Sequence, residues 1–171
     1  YFEHRLREVE GRVARGEGLL PQERYRLAWL LPPPMFDPGL HDWLAQEYGA
    51  VVVMDSLSHL AEDMALDPEA PLDFLAKKRF QLHLLKEVYR PVKTGGLLES
   101  AVRMCLDWRA QGAVTFAPWS CKMSSSLVRF LRDAIREQTG TPLLILDGDM
   151  LDARVVSSGQ MKARLREFLE M

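Results

Sequence analysis

Cys121 is the residue of this sequence with the clearest potential for chemistry. It lies in the segment PWSCK, between an apolar run that closes at Pro118 and a stretch of helical period. At such a junction the helix dipole and free N–H groups favour a thiolate, and Lys122 adds positive charge. A thiolate there can ligate a metal or attack an electrophile, and a small partly buried residue without a role is the alternative. Cys105 falls on an apolar stripe instead, which indicates a small core residue.

Polar residues near two strand ends give weaker signals. The run Ser124–Ser126 could bind a phosphate at a helix start, although capping of the helix is the simpler interpretation. Three carboxylates, on Asp147, Asp149 and Asp152, could hold a magnesium ion or serve in turns and caps. We favour the turn, in which Asp side chains accept backbone N–H bonds and Arg154 pairs with them.

Several familiar enzyme signatures are absent from the sequence. It contains no GxGxxG, no GxxxxGK[ST] and no GxSxG, so nucleotide binding and acyl hydrolysis have no support. His41, His59 and His83 lie in separate elements without HxH or HExxH spacing. That separation favours packed or solvated histidines over metal ligands.

The elements that must position these residues follow an α/β pattern. Short apolar runs alternate with stretches of helical period, which predicts a three-layer domain, flavodoxin-like or Rossmann-like, with a four-stranded parallel sheet flanked by helices. We expect the strand order 2-1-3-4. The predicted strands are 25–31, 50–55, 113–117 and 142–146. The predicted helices are 2–15, 40–48, 72–89, 97–108, 124–138 and 158–170.

The positions of the strands select the loops to search. Ligands of open parallel sheets bind outside the carboxyl ends of the strands. The loops that follow these ends are 32–38, 55–67, 118–122 and 147–154. On the predicted helices 97–108 and 124–138, we expect Trp108 and Phe130 respectively to face inward with the other apolar residues.

Composition and charge bound the class of protein. The 171 residues are 47% hydrophobic and 27% charged, which is enough for one core without disulfides or structural metal. The net charge of -2 lacks the basic excess of a nucleic-acid-binding protein. The longest apolar runs fall far short of the roughly 20 residues of a membrane span. Two cysteines without CxxC spacing predict a reducing compartment, the cytoplasm.

The chain divides into a lead-in segment and one domain. Residues 1–22 predict a charged, weakly held helix and a linker, and residues 23–171 predict the α/β domain. Tyr1 stands where a Met would begin a protein, and the opening segment has no apolar core like that of a signal peptide. We therefore expect a fragment of a longer protein.

Two motifs carry a resemblance to a known family. They are SCK at residues 120–122 and DGDxxDxR at residues 147–154, followed by a closing FLE. With YRLAWL and EYGAVVVMD upstream, the sequence from about residue 23 to 171 resembles the second domain of subunits of the 2-hydroxyacyl-CoA dehydratase and benzoyl-CoA reductase family. The resemblance implies that residues 23–171 form the C-terminal domain of a two-domain subunit.

The resemblance also implies a cofactor and partners. In that family an iron–sulfur cluster lies between two similar domains and is held by cysteines from both. Cys121 would then be this domain's ligand to a 4Fe-4S cluster shared with residues outside the chain. An acyl-CoA or aromatic-CoA thioester would lie beside it, with Trp119, Ser120 and Lys122 as candidate substrate contacts. A paired homologous subunit and an ATP-hydrolysing iron–sulfur activator, which delivers single electrons for radical chemistry, would be the protein partners.

Three functions stay open at this point. The first is a subunit of a dehydratase (a lyase) or of a benzoyl-CoA reductase-type enzyme, whose isolated fragment is inactive. The second is a non-catalytic electron-transfer or assembly subunit of the same family, which the residues Ala117, Pro118 and Trp119 favour because the family often has polar residues there. The third is a flavodoxin-like binding domain without a cluster. One cysteine cannot hold a four-iron cluster alone, so other ligands would lie outside this chain.

Overall fold

Four strands alternate with helices along the chain, as the hydrophobic pattern predicts. The structure, a computed structural model, describes residues 1–58, 67–81 and 96–171. The strands are β1 (Tyr25–Leu30), β2 (Ala50–Asp55), β3 (Gly112–Pro118) and β4 (Leu143–Gly148). The described helices are α1 (Phe2–Ala14), α2 (Leu40–Tyr48), α3 (Pro71–Gln81), α4 (Leu97–Asp107), α5 (Lys122–Thr139) and α6 (Ser158–Leu169). The four predicted strands are thus confirmed.

The four strands form one parallel sheet in the order β2-β1-β3-β4, which confirms the expected order. β1 pairs with β2 on one side and β3 on the other, and β4 pairs with β3. Every residue of β3 is buried, as expected for a central strand that is covered on both faces. Because all four strands run the same way, their carboxyl ends lie at one side of the sheet, which we call the carboxyl edge.

Helices cover both faces of the sheet and make a three-layer domain. Successive residues of a strand point to opposite faces, so β1 contributes to two separate cores. On one face, α4 and α5 pack with Ala28, Leu30, Leu97, Ala101, Met104, Cys105, Ala113, Leu127, Leu131 and Ile135. On the other face, α2 and α6 pack with Leu27, Trp29, Leu40, Leu44, Val114, Phe116, Leu146, Met161 and Leu165.

Two apolar residues do not face inward as the sequence predicts. Trp108 is 38% exposed because α4 ends one residue earlier, and its carbonyl accepts hydrogen bonds from the guanidinium of Arg26 at 3.0 and 3.1 Å. Phe130 is 51% exposed. The buried line of α5 advances by four residues from Leu127 to Leu131, which leaves Phe130 beside that line and in contact with solvent.

The ends of α1 and α3 differ slightly from the predicted ranges. α1 ends at Ala14, one residue before the predicted end, and contains no buried residue. The predicted helix 72–89 is described as far as Gln81 and begins at Pro71. Residues 82–89 of the prediction, which include His83, and also His59 lie outside the described residues. Within the described ranges, no helix has the length and apolar character needed to cross a membrane.

Candidate functional site

Three loops meet at the carboxyl edge of the sheet. Trp119, in the loop after β3, donates its backbone N–H to the carbonyl of Gly148 at 2.9 Å, which ties this loop to the end of β4. Met35, in the loop after β1, donates its N–H to the carbonyl of Met150 at 2.9 Å. The loops that follow β1, β3 and β4 are therefore joined by main-chain hydrogen bonds.

The loop after β1 is also fastened to the start of α6. The carboxylate of Asp37 accepts a hydrogen bond from the hydroxyl of Ser158 and lies 3.7 Å from the ammonium of Lys162. The same ammonium lies over the ring of Trp43, 5.2 Å from its centroid. A partly buried ion pair thus holds the loop after β1 to α6, and the ring of Trp43 on α2 lies against its ammonium.

Cys121 lies at this edge, where the sequence predicts it. The turn after β3 is closed by a hydrogen bond from the N–H of Cys121 to the carbonyl of Pro118 at 2.9 Å. Cys121 is the N-cap residue of α5, with extended backbone angles, and its side chain is half-buried. The thiol therefore stands at the helix start and is accessible from solvent.

The surroundings of the Cys121 sulfur favour the thiolate. The hydroxyl of Ser124 donates to Sγ at 3.2 Å and is the main cause that lowers the pKa of the thiol. The backbone N–H groups of Ser124 and Met123 lower this pKa further, whereas partial burial opposes them. The sequence predicts a contribution from Lys122, but the contacts that stabilise the thiolate come from Ser124 and the helix amides.

The expectation that Ser124–Ser126 cap the helix is wrong. α5 begins at Lys122, two residues earlier than predicted, so Cys121 takes the cap position and the serines fall in the first turn. Ser126 donates its hydroxyl to the carbonyl of Met123 at 2.9 Å, and Ser124 donates to the sulfur. Because two of the three hydroxyls already have protein partners, the arrangement gives little support to a phosphate site.

Cys105 occupies a core position, as predicted. It is 2% exposed and packs between α4 and the sheet. Burial raises the pKa of the Cys105 thiol to about 11, because the apolar surroundings penalise the charged form. The two cysteines therefore differ in solvent exposure and in the direction in which the pKa of the thiol is shifted.

This difference predicts selective alkylation of the folded chain. At pH 8 we expect iodoacetamide to modify Cys121 and to leave Cys105 unmodified, because the thiolate is the reactive form. A thiol with a pKa of about 11 is ionised in only about one molecule in a thousand at this pH. Peptide mass spectrometry measures the two sites, and unfolding in urea should expose both. Equal labelling of the two cysteines in the folded chain would contradict the assigned positions.

Trp119 presents an aromatic surface next to Cys121 in the sequence. The residue is 58% exposed, yet its indole N–H donates to Asp147 Oδ2 at 3.2 Å. The other carboxylate oxygen of Asp147 accepts from the guanidinium of Arg164 at 2.9 Å. The sequence predicts Trp119 as a substrate contact but gives no sign of Arg164, which reaches the strand end from α6. Ser120 and Lys122, the other predicted substrate contacts, are exposed on the same loop and helix start.

The remaining acidic residues form the turn that the sequence predicts. Asp149 Oδ1 accepts backbone N–H bonds from Leu151 at 2.8 Å and Asp152 at 2.9 Å. Arg154 donates its guanidinium Nε to Asp152 Oδ1 at 2.8 Å, and its backbone N–H to the same oxygen at 2.9 Å. Among the residues that the structure describes, no group of three or more His, Cys, Asp or Glu side chains is placed to hold a metal ion.

The ion pair between Asp152 and Arg154 should make a pH-dependent contribution to the stability of the fold. Hydrogen bonds from Arg154 hold the pKa of Asp152 below its usual range. The stabilisation is therefore complete above the ordinary Asp pKa of about 3.9 and is lost as the pH falls through the lower native value. Thermal unfolding should show a small decrease in Tm for Asp152→Asn at pH 7 that vanishes in acid. Normal folding combined with lost substrate binding in the longer protein would contradict this structural role.

A small cavity lies beside the loop after β1 and was not predicted. It has a volume of about 190 Å³. Its walls are Pro33, Pro34, Met35, Asp37, Pro38, Leu40 and His41. The ring of His41 packs against Trp29 with 4.6 Å between centroids, and burial lowers the pKa of His41. The expectation of a packed histidine is thus confirmed for His41. Its buried Nε2 has no hydrogen-bond partner within the described part of the chain.

The chain is similar to known dehydratase and reductase subunits. The family model described as 2-hydroxyglutaryl-CoA dehydratase, D-component, matches residues 1–171. The chain is 28% identical over 175 residues to a benzoyl-CoA reductase subunit of Thauera aromatica, covering 99% of this chain and 39% of that protein. It is 29% identical over 94 residues to the alpha subunit of lactoyl-CoA dehydratase of Anaerotignum propionicum, covering 53% of this chain and 22% of that protein. The chain therefore spans less than half the length of these relatives.

Proposed function

The chain belongs to the family of the 2-hydroxyglutaryl-CoA dehydratase D-component, and from this we propose that it is part of an enzyme subunit for one-electron chemistry on a CoA thioester. Cys121 supplies one thiolate to a 4Fe-4S cluster whose other ligands lie outside this chain. The observation that carries the proposal is the placement of Cys121 as an accessible N-cap residue at the carboxyl edge, where ligands of parallel sheets bind.

The donor set at this edge fits a single iron ligand. Iron–sulfur clusters are held by thiolates, and Cys121 offers a soft sulfur whose charged form is favoured by its neighbours. Cys105 cannot join it without unfolding the core, because that thiol is buried between α4 and the sheet. We therefore propose that residues 23–171 are the C-terminal domain of a longer two-domain subunit, and that the rest of the subunit completes the ligand set.

The residues around Cys121 have separate tasks in this proposal. When bound, the cluster supplies low-potential electrons next to the thioester carbonyl. Trp119, fixed through Asp147, offers an aromatic face to the acyl or aromatic group of the substrate. Ser120 and Lys122 are exposed beside it, and the ammonium of Lys122 is suited to the phosphates of CoA.

The subunit also needs partners in this proposal. A paired homologous subunit would complete the enzyme, and an ATP-hydrolysing iron–sulfur activator would deliver the electrons one at a time. The relatives named as subunits of a reductase and a dehydratase support an assembly of more than one chain. We propose the cytoplasm as the compartment, because reduced thiols persist there.

A non-catalytic member of the same family is the second candidate function. The loop before Cys121 favours it, because Ala117 and Pro118 are buried in β3 and the single polar atom of the Trp119 side chain is taken by Asp147. Such a subunit would keep the cluster for electron transfer or assembly without acting on substrate. Membership of the dehydratase family disfavours a flavodoxin-like binding domain without a cluster.

Anaerobic purification of the longer protein tests these functions. We expect a brown protein with bound iron and acid-labile sulfide, and turnover of an acyl-CoA or aromatic-CoA thioester when activator, ATP and reductant are present. Iron without turnover would support the non-catalytic candidate. A colourless protein that lacks iron after cluster reconstitution would overturn both, since both rest on the cluster.

A further inference from the structure

Ser124 is a buried polar residue to which the proposed function assigns no task. It is 4% exposed and lies in the first turn of α5, three residues after Cys121. Its neighbours Ser125 and Ser126 are both exposed. A buried hydroxyl needs a hydrogen-bond partner to offset its lost hydration. In the described part of the chain, the partner of Ser124 is the sulfur of Cys121, at 3.2 Å.

The hydrogen-bond partner of Ser124, a side-chain sulfur, differs from the backbone carbonyl that a helical serine commonly uses. Helical Ser and Thr hydroxyls commonly bond to a backbone carbonyl one turn earlier, and this chain shows that pattern elsewhere. Ser126 donates to the carbonyl of Met123, and Thr139 donates to the carbonyl of Ile135. Ser124 instead donates to a side chain, while the carbonyl of Cys121 accepts from the N–H of Ser125 at 3.1 Å. The hydroxyl is thus directed at the sulfur.

We propose that Ser124 is a positioning residue that donates a hydrogen bond to the Cys121 sulfur while that sulfur ligates iron, and that it thereby raises the reduction potential of the cluster. The inference rests on the proposed function of Cys121. Hydrogen bonds to ligating sulfurs stabilise the reduced cluster, which carries one more negative charge, and so set its potential. Burial of Ser124 keeps water from replacing its hydroxyl, which strengthens the effect.

Redox titration of the anaerobically purified longer protein tests the inference. Ser124→Ala removes the donor without adding bulk, and alanine is well tolerated in a helix. Ser126→Ala is the matched control, because it removes a hydroxyl from the same turn that contacts Met123 and not the sulfur. Ser124→Thr keeps a hydroxyl and serves as the rescue variant. The readouts are iron content and the midpoint potential of the cluster, followed by electron paramagnetic resonance.

The expected result is a lower midpoint potential for Ser124→Ala at unchanged iron content. At a fixed electrode potential, its ratio of reduced to oxidised cluster should fall by a factor of about three to ten, the range of one hydrogen bond. Ser124→Thr should recover part of this loss, and Ser126→Ala should match the unchanged protein. Equal potentials for Ser124→Ala and Ser126→Ala would overturn the inference, as would loss of iron from Ser124→Ala alone, since the hydroxyl would then retain the metal instead of setting its potential.

Failure of this inference is distinguishable from failure of the proposed function. The iron content of a Cys121→Ser variant tests whether the sulfur is a ligand, independently of Ser124. If that variant loses iron and Ser124→Ala keeps an unchanged potential, the ligand role stands and the role of Ser124 is overturned. If Cys121→Ser keeps normal iron, both fall together.

Discussion

The longer protein with Cys121→Ser should lose iron and lack reductive chemistry, while its fold survives. Serine is nearly isosteric with cysteine, but its hydroxyl is a poor ligand for iron compared with a soft thiolate. Serine is also a favoured N-cap residue, so α5 should not be weakened at its start. Iron and sulfide assays on anaerobic protein measure the first effect, and thermal unfolding of the same samples measures the second.

Cys105→Ala is the matched control for that prediction. It removes the other thiol of the chain from a buried position, so it should cost some stability and leave iron content unchanged. Normal iron in Cys121→Ser would remove the main ground for the proposed function. Loss of iron in Cys105→Ala alone would show that the two cysteines have exchanged roles.

Trp29→Ala should destabilise the domain more than any change on the carboxyl edge. The Trp29 side chain is fully buried between the sheet, α2 and α6, and its ring contacts His41 beside the cavity. Removal of a buried aromatic ring costs about 3–5 kcal/mol of unfolding free energy. For a chain of this size each kcal/mol lowers Tm by about 2–4 °C, so Tm should fall by roughly 10 °C.

Trp119→Ala is the matched control for Trp29→Ala. It deletes the same side chain from an exposed site, with loss of one hydrogen bond to Asp147. The free energy of unfolding should change by about 1 kcal/mol or less. Urea unfolding of both variants, followed by circular dichroism, gives the two values. If Trp29→Ala were no more harmful than Trp119→Ala, the core on the α2 and α6 side would be wrongly assigned.

The sheet and its helices were predictable because their signals are local. The apolar run AVVVMD predicted β2 over the residues that the structure shows, and prolines marked two strand ends: Pro32 follows β1, and Pro118 is the last residue of β3. The start of α5 was misplaced for a physical reason. The run of three serines favours a serine cap, whereas here a turn closed by the hydrogen bond from the Cys121 N–H to the Pro118 carbonyl leads into the helix at Lys122, and Cys121 takes the cap position.

Contacts at the site were less predictable than the elements that carry them. The position of Cys121 followed from its place between a strand and a helix. The hydrogen bond from Ser124 to the sulfur forms because Cys121 is the N-cap residue and Ser124 lies in the first turn of α5. A helix predicted to start at Ser124 places Cys121 outside the helix, so this contact is not predicted. Arg164 reaches Asp147 from a different element, 17 residues further along the chain, and no spacing rule connects them. The cavity beside His41 depends on the path of a proline-rich loop, which composition does not determine.

The position of Trp119 gives the protein an intrinsic optical reporter. Its indole is largely open to solvent, is held by Asp147 and is two residues from Cys121 in the sequence. Trp29, by contrast, is enclosed in the core and should emit at shorter wavelength. An absorbing centre bound at Cys121 should therefore quench the emission of Trp119, so that occupancy of the carboxyl edge can be followed as the difference in fluorescence between the unchanged protein and Trp119→Phe.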